Sequence, residues 1–132
     1  MKNMLLALTI FLLSGCYAGH TVKQDFQLES VTTLQAVLSA LASIGYALCH
    51  EGNKNDYCFQ NRSYPSFSLI NTNGTFTIEM KLTHVTRKRG AEKELSEIEN
   101  ALLKVNGVMK LCRHNETTWG MAHGSESKCP GS

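Results

Sequence analysis

The stretch LCRHNETTWGMAHGSESKC, residues 111–129, gathers the side chains best suited to hold a metal: Cys112, His114, His123 and Cys129. Thiolate with imidazole is a donor set that suits zinc or copper. Their spacing, C-x-H-x8-H-x5-C, follows no standard zinc pattern, and an oxidising compartment would draw both cysteines into a disulfide instead. The sequence therefore assigns no metal and no cofactor. A metal-binding envelope protein using His114, His123 and the tail cysteines stands as the alternative reading. Ser125 and Lys128 match S-x-x-K formally, without any companion acyl-enzyme motif. His50 and Glu51 are followed by Gly-Asn-Lys-Asn, so the H-E-x-x-H zinc helix is absent. Neither a G-x-S-x-G elbow nor a phosphate-cradling glycine loop occurs. With no catalytic residues to name, the expectation is a protein that is not an enzyme.

Two other features suit binding better than reaction. Arg87, Lys88 and Arg89 form a basic run that would attract an acidic partner or anionic headgroups. Trp119 is the single tryptophan, a residue type enriched where interfaces concentrate their energy. These four are the candidate partner-binding residues.

The amino terminus carries the most specific signal. Lys2 precedes an apolar run from Met4 to Leu13 interrupted only by Thr9, the pattern of a secretory signal. At its end, Leu13-Ser14-Gly15-Cys16 resembles the lipobox of bacterial lipoproteins. The resemblance implies that residues 1–15 are removed, that the Cys16 thiol is diacylated and that the new amino terminus is acylated. Tyr17 stands where the family's inner-membrane retention signal has Asp, which implies sorting to the periplasmic face of the outer membrane. Each buried CH₂ contributes about 0.8 kcal/mol, so several acyl chains make the membrane attachment stable where one would be marginal.

With Cys16 given to lipid, Cys49, Cys58, Cys112 and Cys129 remain, an even set in an oxidising compartment. Three connectivities are open. Cys49–Cys58 with Cys112–Cys129 is favoured, because each pair closes a short, polar, turn-rich loop.

The formal charge of +2 falls by one when Lys2 leaves with the signal, and near-neutrality argues against a nucleic-acid binder. With 42% hydrophobic and 18% charged residues, the rest of the chain has the composition of a packed domain.

The elements needed to position these residues follow from periodicity. Residues 16–24 show no pattern and read as a lipidated tether, ahead of a globular domain over 25–132. Leu28, Val31, Leu34, Leu38, Leu41 and Leu48 form one helical stripe, with Asp25 or Ser30 as the cap. A short strand is expected over 57–60. SFSLINTNGTFTIEMKL then places Asn73-Gly74 between two alternating runs, a hairpin that sets Leu69 opposite Ile78 and Ser68 opposite Glu79. A second helix is expected over 91–105 with Leu95, Ile98, Leu102 and Val105 inward and Glu92, Glu94, Glu97 and Glu99 mainly outward. A last strand covers 108–113. The tail from His114 to Ser132 shows no period and is expected to be pinned by Cys129. The order is α-β-β-β-α-β: an α+β domain with two helices on an antiparallel sheet, braced by disulfides. The function expected is a membrane-tethered, non-enzymatic protein-binding factor of the inhibitor, immunity or envelope-assembly kind, with a protein partner in the envelope.

Overall fold

Gly74 adopts φ +80°, a conformation cheap only for glycine, and closes the hairpin at Asn73-Gly74. The flanking strands, Phe67–Thr72 and Thr75–Leu82, pair with Leu69 opposite Ile78 and Ser68 opposite Glu79, the register in which apolar meets apolar. Around this hairpin a computed structural model of the chain describes residues 18–50, 53–60, 65–82, 88–119 and 121–131. Its elements are β1 (Ala18–Leu28), α1 (Val31–Ser43), β2 (Tyr46–Leu48), β3 (Asp56–Phe59), β4 (Phe67–Thr72), β5 (Thr75–Leu82), α2 (Lys88–Leu103), β6 (Val108–Trp119) and β7 (Ala122–Lys128).

All seven strands form one antiparallel sheet in the order β2-β3-β4-β5-β1-β6-β7. Both helices contribute to one apolar core. Phe26 stacks on Phe76 at 4.9 Å, and Val37, Leu41, Ile78, Ile98 and Leu102 are fully buried around them. Burying an aromatic or branched side chain contributes about 1.5–3 kcal/mol, so this cluster is the main stabilising mass. Next to it, half-buried Tyr57 stacks on Phe67 at 5.2 Å, and burial raises its phenol pKa above 10.0. The structure joins Cys49 to Cys58 and Cys112 to Cys129, so the two disulfides brace opposite flanks of the sheet.

Three parts of the sequence reading are corrected. From Ala18 on, the segment read as a tether is the beginning of β1, which lies inside the sheet between β5 and β6, while residues 16 and 17 fall outside the described residues. Its period of two is muted because His20 and Gln24 share the helix-facing side with Val22 and Phe26. The first helix starts at Val31 and stops at Ser43. Gly45, at φ +100°, turns the chain so that Tyr46–Leu48 becomes a strand, and Leu48 is 55% exposed instead of completing the helical stripe. The patternless tail is the far half of β6 and all of β7, invisible to periodicity because neither face of this hairpin reaches the core. The expected six-element order therefore becomes β-α-β-β-β-β-α-β-β. The chain is a small mixed domain dominated by its sheet.

A bulge sits in the β1–β6 ladder. Phe26 pairs with Lys110, but Gln24 pairs with Arg113, so β6 carries one extra residue across that step. Gln24, fully buried, donates its amide to Leu111 O at 3.0 Å and Cys112 O at 3.3 Å. A polar side chain in the core is stable here because its hydrogen-bonding capacity is used.

Candidate functional site: a cavity beside the β6–β7 hairpin

The bulge turns Arg113 toward the helices. Arg113 Nε donates to Gln24 Oε1 at 3.1 Å, its guanidinium bonds Glu99 Oε1, and Lys110 Nζ bonds Glu99 Oε2 at 3.1 Å. Glu99, expected on the outer face of α2, is in fact buried, because these two cations from β6 meet its carboxylate. The network joins β1, β6 and α2 at the point where the apolar core ends.

Beyond it, the sheet and α2 enclose a cavity of about 400 Å³. One wall is apolar: Val22, Met80 and Leu82 from the sheet, Ala91 and Leu95 from α2. The other is polar: His20, Arg113, Asn115 and Thr117, with Gly124, Ser125 and Glu126 of β7 at the margin and Glu92 on the helix side. Alternation along paired strands explains the set, since His20 opposes Thr117, Val22 opposes Asn115, and Asn115 opposes Glu126. His20 Nδ1 lies 3.0 Å from Thr117 Oγ1. A concave site with an apolar wall and a few convergent polar groups is built to hold a ligand or an inserted side chain.

The opposite face of the sheet carries a band of charged and polar residues across its β5–β1–β6 centre, with exposed Met109 opposite Gln27. Lys23 bridges Glu116 at 3.3 Å and Glu79 at 3.8 Å, and Lys81 reaches Glu79 at 3.4 Å. Beside them runs a chain of hydrogen bonds. Thr77 Oγ1 donates to Asp25 Oδ1 at 2.7 Å, Asp25 Oδ2 meets His114 Nε2 at 3.0 Å, and His114 Nδ1 meets Ser127 Oγ at 2.7 Å. Serine, histidine and aspartate in series are the components of an activated nucleophile. Here they lie flat across three strands, with Ser127 exposed on the edge strand and the cavity on the other side of the sheet. The arrangement is a polar ladder that runs across the strands.

The sequence-selected residues fall in several places. Cys16 and Arg87 lie outside the described residues, as do the side chains of Lys88 and Trp119, whose backbones begin α2 and end β6. Arg89 is exposed in the first turn of α2. Cys112 and Cys129 are spent in a disulfide, His114 is engaged by Asp25 and Ser127, and His123 sits opposite Thr118, further along the hairpin. Among the described residues no three His, Cys, Asp or Glu side chains cluster as metal ligands would. Sequence reasoning missed His20, Arg113, Asn115 and Glu126. A partial signal existed: Val22, Phe26 and Leu28 share one parity, which marks β1 as a strand, and Glu99 directly follows Ile98 at the border of the apolar stripe.

No known family model matches the chain, and no curated protein matches it closely enough in sequence to count as a relative.

Proposed function

We propose that the protein is a lipoprotein of the bacterial envelope, held at the periplasmic face of the outer membrane by acyl chains on Cys16. Its role there is to bind another protein, without catalysing a reaction. The observation that carries the binding role is the cavity under α2, which opens beside a hairpin whose outer strand is exposed at every residue. An extended strand with an unpaired edge is a template for a partner's backbone, and the adjacent cavity adds a socket for its side chains. The Cys112–Cys129 bridge holds that edge in place, which lowers the ordering cost of association.

A photo-crosslinking residue at Ser125, beside the cavity, tests this in intact cells against the same residue at Thr72, on the distant β4–β5 hairpin. Discrete adducts at Ser125 alone are expected. Equal labelling at the two positions, or none at either, would count against a binding role for this edge. Incorporation of labelled palmitate, lost in Cys16→Ser, tests the anchor separately.

A further inference from the structure

We propose that the end of the sheet where β1 begins is a second membrane contact, docking on an anionic lipid surface; this deepens the lipoprotein reading and rests on it for the anchor at Cys16. The fold brings separate parts of the sequence to this one end. Ala18, at the start of β1, is the Cα partner of Trp119, and Trp119 in turn pairs with Ala122. His20 pairs with Leu82, so β5 finishes at the same end, and α2 sets out from there at Lys88. Ala91 and Glu92 line the cavity together with His20 and Leu82, which fixes the first turn of α2 over that end of the sheet.

The chemistry assembled there matches a membrane interface. Met121, in the β6–β7 connection, is fully exposed, an apolar side chain at the tip of a braced hairpin. Arg89 is exposed and has no ion-pair partner among the described residues, and His123 is exposed on the same hairpin. Apolar and aromatic residues at an interface enter the headgroup boundary, while nearby cations meet lipid phosphates. Glu92, a carboxylate with no ion-pair partner among the described residues, lies further along α2 and lines the cavity. The position of Cys16 agrees with this placement. Only Tyr17 separates it from β1, and two residue steps span at most about 7 Å, so lipid on Cys16 holds this end of the sheet against the bilayer.

Trp119, as the single tryptophan, reports on the contact directly. The full-length protein, purified from envelopes, would be reconstituted in phosphatidylethanolamine vesicles containing phosphatidylglycerol brominated near the headgroup. The expected result is a blue-shifted Trp119 emission reduced by roughly half, as for an interfacial indole. Met121→Glu combined with Arg89→Glu would restore most of the emission, with palmitate on Cys16 unchanged. Palmitoylated protein whose Trp119 stays unquenched at its aqueous wavelength would overturn the docking surface and leave the lipoprotein reading standing. If instead the protein carries no palmitate, the lipoprotein reading falls by itself. Co-sedimentation with the same vesicles, accompanied by quenching, would then still support the docking surface, and its absence would overturn it.

Discussion

The helix-facing side of the sheet has two halves that obey the same alternation and reach opposite outcomes. Over β4, β5 and the far part of β1, the buried inward positions are apolar, and the helices seal them into a core in which Phe26, Phe76 and Ile78 are wholly excluded from solvent. Over the start of β1 and along β6 and β7, the inward positions include His20, Arg113, Asn115, Thr117 and Glu126, and α2 spans them without filling the space. The first half makes the fold stable. The second is held in shape by a disulfide and an ion-paired network, and is therefore free to carry residues chosen for contact with something else.

Breaking the apolar half should have the largest effect. Phe76→Ala removes a fully buried ring stacked on Phe26 and leaves a cavity, so a loss of about 3–5 kcal/mol is expected in urea unfolding. The polar half should respond to its covalent brace next. Cys112→Ser with Cys129→Ser opens a link between residues 17 apart, and a loss of about 2–3 kcal/mol is expected. Hydrogen exchange should show β7 opening while β4 and β5 keep their protection. The smallest effect belongs to the seam between the halves. Glu99→Gln takes the charge from a carboxylate facing Arg113 and Lys110, both partly exposed. Solvent screening of those cations limits the expected loss to about 1–2 kcal/mol, with faster exchange confined to the bulged stretch of β6. If Phe76→Ala and the double cysteine variant destabilised both halves alike, the division drawn here would be wrong.

The same division explains what the sequence disclosed. In the β4–β5 hairpin, apolar and polar positions alternate and Asn73-Gly74 supplies the turn, so strands, register and facing residues were all legible. Leu95, Ile98 and Leu102 marked α2 for the same reason, and loop length sufficed to favour the two disulfides. The start of β1, the far half of β6 and β7 were not legible, because strands that face water on one side and a polar cavity on the other have no hydrophobic rhythm. The cavity was hidden for a further reason. Its residues come from β1, β5, α2, β6 and β7, and only the closed sheet makes them neighbours.

The bulge in β6 acts as a parity switch. Before it, the even positions Val108 and Lys110 oppose Leu28 and Phe26; after it, the odd positions Arg113, Asn115 and Thr117 oppose Gln24, Val22 and His20. Were the ladder to zip on past Phe26 and Lys110 with no residue set aside, Cys112 would oppose Gln24 and the two faces of everything that follows would be exchanged. His114, Glu116 and Thr118 would enter the cavity, and Arg113 would point to open solvent. The one residue set aside in the bulge thus keeps the hairpin from turning inside out, and deleting one residue there would leave the pairing beyond it unchanged.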